Sequence, residues 1–513
     1  MPITSNDLIY ERKKGRLKVE NKKTYEFLAE DPEFNVKPVM ISLIIGAFFA
    51  ILNETLLNIA LTTLMERFSV TPATVQWMAT GFMLVMGILT PISALLLQSY
   101  TTRQMFLGTM TIFTFGTVIC AIAPTFSILL GGRLLQAVGT GLLIPIIFNT
   151  FLLVFPPERR GTVMGTIGLV IMFAPAIGPT LSGLIVEHLG WRYLFITVIP
   201  FALFSIGFGY KFLKNVGEVT KPKVDIPSIV LSTLGFGGVV LGFSFAGEGD
   251  VGYLTPKVFL PLVIGVIALI YFVFRQLKLK EPLLDVRVFQ YPMFTVAAVL
   301  FIIIIMAMFS SEIILPMYMQ GPLGLTAATA GLILLPGSLL NGLMSPVMGK
   351  LFDKFGPRKL IIPASVVLTG VMFTFSTIGL TTPIWLIIVS YVLLMVSISA
   401  IMMPAQTNGL NGLPKHLYPH GTAIMNTLQP VSGAIGVSVF ISIMTNRQQA
   451  YLDQASNPTN AETISQSLVS GVGLVYLVAF GLTIVGLIVA LFIRKAVPEE
   501  RRDQSEQPVV NES

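Results

Sequence analysis

Fourteen apolar runs, most of them close to the roughly 20 residues a helix needs to cross about 30 Å of hydrocarbon, occupy most of this 513-residue chain. They fall near residues 38–63, 75–97, 105–123, 128–153, 162–186, 194–213, 227–246, 259–274, 294–317, 326–349, 360–380, 384–405, 421–445 and 471–493. In lipid the backbone has no water to bond to, so runs of this length leave the helix as their solution. The chain is 54% hydrophobic and 12% charged, which sets it apart from soluble domains. The expected fold is therefore an all-α integral membrane bundle of 14 transmembrane helices.

The basic residues orient that bundle. With both termini cytoplasmic, 28 of the 33 lysines and arginines lie on the cytoplasmic side, and the outer loops hold only Arg67, Arg192, Lys257 and Arg447. Such a bias is the positive-inside signature. The net charge of +7 then reflects topology, spread over eight segments and not gathered on one face as a nucleic-acid surface requires. The lone cysteine, Cys120, excludes an intrachain disulfide framework, and no apolar h-region with a cleavage site stands in the charged stretch 1–37.

After the tenth run comes GKLFDKFGPRKL, Gly349 to Leu360. Gly349 permits close helix approach, Asp353 can accept at a helix end, Gly356 permits a tight turn, and Arg358 supplies cytoplasmic charge. This stretch resembles the loop signature of the major facilitator superfamily. The matching loop after the second run, ALLLQSYTTRQMFL, keeps the placement but has Gln98 for the acid and Thr101 for the glycine. GRLLQAVGTG, residues 132–141, resembles the fourth-helix motif through Arg133 and Gln136. APAIGPTLSG, residues 174–183, resembles the fifth-helix antiporter signature through Gly178, Pro179 and Gly183. There Ala174, Gly178 and Ser182 form a small-residue stripe for a neighbouring helix, and Pro175 and Pro179 kink the chain.

In the first run, LNETLLNIALT resembles the opening helix of the fourteen-span drug:proton antiporters, the branch of quaternary-ammonium and lincomycin exporters, with Asn53 in the usual aspartate position and Glu54 beside it. The resemblance implies a major facilitator fold of two six-helix halves with a two-helix central insertion. It divides the chain into a cytoplasmic segment 1–37, an amino-terminal half 38–213, a linker with two extra helices 214–293, a carboxy-terminal half 294–493 and a cytoplasmic tail 494–513. It also implies a multi-pass protein of a bacterial plasma membrane that needs no cofactor, draws on the proton gradient and functions as a monomer.

Glu54 lies about 24 Å along its helix from Pro38, within the hydrocarbon, and Asn58 follows one turn later on the same face. An unpaired carboxylate there is costly, so it marks a function by default: it can bind and release protons. The structural alternative is an ion pair with Arg133, the sole basic residue within a run. Glu312, about 27 Å along the ninth run, holds the corresponding place in the second half. Two acids on corresponding helices suit a midplane site between repeats, although Glu312 could instead line the outer mouth. Asp225 reads as a helix amino-terminal charge.

Glu54, Arg133 and Glu312 are therefore the candidate coupling residues. Asn53, Asn58, Gln136, Asn149, Asn341 and Asn426 are candidate substrate contacts, joined by Gln406, Asn408 and Gln429 among the amides that could face a cavity. The 23 methionines, Met306 and Met308 included, and 36 phenylalanines offer adaptable surface for hydrophobic ligands. His188, His416 and His420 fall in expected loops without metal spacing, and no metal site is expected. Residues 446–470 read as a long polar outer loop that contains a short helix or a flexible segment.

The leading function is a proton-coupled exporter of hydrophobic or cationic small molecules, such as drugs, working by alternating access. The alternatives are a dedicated exporter of one endogenous solute, such as a nucleotide messenger, lipid or metabolite, and a receptor or scaffold without flux. An enzyme is disfavoured, because no nucleophile–base pair or phosphate-binding glycine loop is visible.

Overall fold

The computed structural model describes residues 8–13, 16–21, 36–154, 173–174, 177–213, 215–216, 225–246, 255–279, 282–414 and 417–496. A short antiparallel hairpin, β1 (Leu8–Lys13) with β2 (Arg16–Asn21), precedes the bundle, in a stretch that reads from the sequence only as charged. The helices follow as α1 (Val36–Phe68), α2 (Trp77–Ser99), α3 (Thr102–Ile122), α4 (Phe126–Val154), α5 (177–188), α6 (Val198–Phe212) and α7 (Ile226–Ala246). They continue as α8 (Pro256–Lys278), α9 (Pro292–Gln320), α10 (Ala327–Phe355), α11 (Pro357–Ser376), α12 (Ile384–Asn411), α13 (Tyr418–Asp453) and α14 (Ala461–Leu491). Thirteen crossing segments are long and apolar enough to span a membrane among the described residues. The expected fifth span, 162–186, lies largely outside those residues, as do Pro175 and His416.

Local chemistry sets the helix ends. Thr101 does not supply a glycine's turn but starts α3 with a capping box: its hydroxyl accepts from the Gln104 N–H, and the Gln104 side chain accepts from the Thr101 N–H at 3.2 Å. Between α10 and α11, Gly356 adopts φ +77°, which favours glycine, and Pro357 fills the first helical position, where its missing N–H costs nothing. Residues 446–470 are not a long loop. Helix α13 continues to Asp453 and α14 begins at Ala461, capped by Asn460, because polar residues stay helical once past the hydrocarbon. His420 and His188 likewise lie on helix ends, not in loops. Nothing lies within 4 Å of a Cβ placed on Gly349, so that glycine makes no close helix contact here, and Asp353 and Arg358 are exposed at the same end.

Packing concentrates where side chains vanish. Within the first six helices, α3 and α4 meet through Gly116, Gly132 and Gly139, with a Cβ on Gly139 reaching 2.6 Å from that of Phe113. Helix α5 presents glycine to two neighbours. A Cβ on Gly178 would lie 2.9 Å from the Cβ of Thr55 on α1, and the Ser182 hydroxyl donates to the Leu56 carbonyl. On its other side, a Cβ on Gly183 would lie 2.8 Å from the Ala328 Cα of α10, and the Thr180 hydroxyl donates to the Gly331 carbonyl at 3.0 Å. The small-residue stripe thus reaches α1, and the next glycine along reaches α10.

Helices α7 and α8 pack chiefly on each other, and α7 also touches α2 and α13. Asp225 ahead of α7 receives both nitrogens of the Arg275 guanidinium at 2.9 and 2.6 Å. That fork, with the Ser228 hydroxyl, holds the Asp225 carboxyl below its usual range.

Substituting Gly183→Ala forces α5 and α10 apart, so the stability in detergent should fall by about 1–3 kcal/mol, while Gly370→Ala, which meets open space, should not destabilise. Thermal unfolding of the two purified variants measures the contrast. For Asp225, whose folded carboxyl is depressed, the pair's contribution is present at neutral pH and fades as pH falls through the folded value. The deficit of Asp225→Asn should therefore be small, because solvent screens the pair, and should shrink on acidification. Unfolding midpoints taken across the acid range would show it.

Candidate functional site

Arg133 organises the first helices. It is 1% exposed, on α4, and its guanidinium lies 4.0 Å from the Phe82 ring. Nη1 donates to Asn53 Oδ1 at 2.8 Å, to the Asn53 carbonyl at 3.3 Å and to Gln136 Oε1 at 3.1 Å. Nη2 donates to the Glu54 backbone carbonyl at 3.0 Å, and Nε to the Met78 carbonyl at 3.4 Å. Gln136 in turn donates to Thr117 at 2.8 Å. The charge is therefore met by amide and carbonyl dipoles from α1, α2 and α4. Its link to Glu54 runs through the backbone, and the ion pair with the Glu54 carboxylate, the structural alternative, is not formed. Asparagine in place of aspartate at 53 explains this: a neutral acceptor suffices when four others share the guanidinium.

The Glu54 carboxylate points instead into a central cavity. Its empty space, mouth included, is about 1440 Å³. Glu54 shares it with Glu312 of α9, and Glu312 Oε2 accepts from Asn58 Nδ2 at 3.4 Å, a bond from α1 to α9. No donor reaches the Glu54 carboxylate among the described residues. Asn341 and Asn426 line the same space, as do Gln406 and Gln429, and among the described residues no lysine, arginine or histidine does. The cavity is otherwise soft: Met83 and Met86 of α2, Met308 of α9, and Met395, Met402 and Met403 of α12 face it. Asn341 donates to the Met395 sulfur at 3.4 Å.

Other candidates stand elsewhere. Asn53 and Gln136 are buried beside Arg133 and do not line the cavity. Asn149 is half-buried outside it. Asn408 binds the segment just after α14, donating to the Arg494 carbonyl at 2.9 Å and accepting from the Ala496 N–H at 3.0 Å. Met306 packs on α13 beneath Gly436. The methionines of α2 and α12 escape sequence reading, although 395, 398, 399, 402, 403 and 406 repeat at helical spacing; periodicity marks a stripe but not whether it meets lipid, protein or a cavity. No cluster of three His, Cys, Asp or Glu able to hold a metal exists among the described residues.

The cavity is closed at one end. On α1 its lining stops at Thr55, on α9 at Glu312, and on α2 nothing before Met83 takes part. Beyond that level α9 and α1 are bonded through Gln320 Nε2 to the Ile59 carbonyl at 3.1 Å, and the Ala328 N–H of α10 donates to Glu187 at 3.2 Å. From the acids the lining runs the other way, to Thr90, Ser345, Gln406 and Asn426, towards the bundle end where α1 starts and α14 finishes.

A many-spanning helical bundle around a central cavity, lined by methionines with two acids and a few amides, defines a membrane transporter of small molecules. The chain belongs to the Major Facilitator Superfamily, whose sequence model matches residues 43–437, and this is a family of transporters, not of enzymes. It is 52% identical over 463 residues to the lincomycin resistance protein LmrB of Bacillus subtilis, covering 90% of this chain and 97% of that one. With the protein of the same name from Listeria monocytogenes it shares 51% over 459 residues, again 90% and 97% of the two chains. The crystal structure of a POT family transporter in complex with 5-aminolevulinic acid superposes with a TM-score of 0.65 at 14% identity, over 91% of this chain and 98% of that one, which shows the shared fold.

The buried fork of Arg133 should not tolerate a point charge. Arg133→Lys loses several of its bonds, at about 1.5–3 kcal/mol for each hydrogen bond to a charged group left unmade, and should lower the unfolding midpoint clearly more than Asn341→Ala, whose amide faces the cavity. Parallel melts in detergent test this ranking.

Proposed function

We propose that this protein is a proton-coupled exporter of hydrophobic or cationic small molecules, lincosamide-type drugs among them, working by alternating access. The observation that carries the reading is the pair of carboxylates, Glu54 and Glu312, facing one methionine-lined cavity with no basic residue among the described residues that line it. Such a site attracts a cation when its acids are ionised and releases it when they are protonated, which is the exchange an antiporter needs. The names of the LmrB relatives support the drug class. The soft lining supports breadth, since methionine repacks around differing shapes. A dedicated exporter of one endogenous solute would fit a stiffer and more polar cavity.

In this reading, Glu54 is the main proton carrier because its carboxylate has no partner among the described residues. Glu312 is the second charge site, steadied by Asn58. Arg133 is a positioning residue that fixes the backbone under Glu54. Helices α1–α6 and α9–α14 form the two moving halves and α7–α8 the insertion, with both termini in the cytoplasm, so that the cavity faces the cytoplasm and its closed end faces outward. The lysine and arginine bias supports this orientation. The protein works as a monomer, its cavity being complete within one chain.

In liposomes carrying a pH dye, lincomycin or a lipophilic cation such as ethidium should drive proton release by the wild type. Glu54→Gln should abolish the signal while still binding substrate, and Glu312→Gln should weaken it. A Glu54→Gln protein that responds like wild type would remove the coupling role from that residue. Competition by many unrelated cations is expected; competition by a single solute class would favour the dedicated exporter.

A further inference from the structure

From Gln76, the residue that caps the start of α2, Thr80, Met83 and Gly87 follow at intervals of four, three and four residues, a helical spacing that puts them in line with the side of α2 that meets α13. Its lower part is in direct contact with α13: a Cβ on Gly87 would lie 2.7 Å from Val431 Cγ2, and one on Gly433 2.9 Å from the Met83 sulfur. The upper part continues the stripe into the closed end. Gln76 and Thr80 are both 0% exposed there, and among the described residues the Gln76 Oε1 and Nε2 and the Thr80 hydroxyl have no hydrogen-bond partner. A buried amide wanting both its oxygen and its nitrogen partners is a steep cost for a native helix seam.

The groups across the seam are satisfied among themselves. On α13 the Ser438 hydroxyl bonds that of Ser244 on α7 at 2.9 Å, and Ser442 donates to the Ala246 carbonyl at 2.9 Å. Helix α7 is thus fastened to α13, and the serines that α13 carries at the level of the closed end are already engaged. The cost is therefore specific to the state in which α2 is pressed against α13. If the two helices part at this end, water reaches Gln76 and Thr80 and the cost disappears.

Resting on the alternating-access reading, we infer that Gln76 and Thr80 are an opening element: polar groups left unpaired only while this end of the cavity is closed, whose hydration on opening sets the balance between the two access states. They touch neither substrate nor the coupling acids. Their role is to keep the closed state shallow enough to be left on each cycle.

The test uses the full-length protein in nanodiscs, with Cys120→Ala and spin labels on introduced cysteines at the exposed positions 67 and 454, which flank the closed end from α1 and from the α13–α14 turn. Wild type should show a short and a long distance. Gln76→Leu should deplete the long-distance population relative to the short by about tenfold, the worth of one relieved polar group, and Thr80→Val should act in the same direction. Ethidium-driven proton release should slow in step, while Gln76→Asn, which restores a polar group, should retain both distances. If wild type shows both distances and Gln76→Leu leaves their ratio and the transport rate unchanged, the opening element is refuted and alternating access stands. If wild type holds one distance with and without ethidium and at acid and neutral pH, alternating access itself fails, and the opening element with it.

Discussion

A guanidinium buried without a carboxylate is the constraint on which the centre of this protein depends. Arg133 must be solvated by dipoles because no acid is offered to it, and the acceptors it gathers come from three helices at once. Breaking such a set would leave an uncompensated charge in a dry interior, which is far more costly than the set is worth as net stabilisation. The three helices are therefore held in one register. The same arrangement leaves the neighbouring Glu54 carboxylate turned towards the cavity, because its backbone, not its side chain, is what Arg133 holds.

From that point the interior divides by chemistry. Small residues of α5 bring backbone against backbone at α1 and α10, with the cavity's lining stopping just short of that level. Methionines and amides occupy the space that remains, and the acids lie at its blind end. On the proposed reading, a substrate entering from the open end meets uncharged polar groups and adaptable thioethers before it meets charge. The order suits a site that admits varied apolar bodies and reserves electrostatic discrimination for the innermost step.

The helices were legible in the sequence because hydrocarbon imposes a length and a polarity that few soluble segments share; α7 and α8 stand where the apolar runs put them. Boundaries were less so. Helix α13 outlasts its apolar run because nothing in Gln448 or Gln449 forbids a helix in water, and hydropathy cannot register that. At the site, Glu54, Arg133 and Glu312 stood out by being charged among apolar neighbours. The partner of Arg133 did not, since carbonyl oxygens carry no residue identity and an asparagine at 53 reads equally as ligand contact or scaffold. Gln76 and Thr80 were silent for a related reason: near a helix start they look like solvated residues, and only packing shows that the seam leaves them dry.

Helix α13 spans 36 residues, about 54 Å of rise against a hydrocarbon layer of about 30 Å. It is the longest helix among the described residues, with Pro430 in its first half, held near its middle by α2 and α9 and longer than the hydrocarbon layer is thick. Geometry then gives it leverage. A tilt of about 10° around its centre swings each tip by about 5 Å, in opposite directions. One tip carries His420, which accepts the Asp285 N–H at 3.2 Å from the segment leading into α9, and the other leads by a seven-residue turn into α14. A modest rotation at the seam is thus converted into displacement at both aqueous surfaces, where antibodies, cross-linkers or neighbouring proteins can grip it without entering the bilayer.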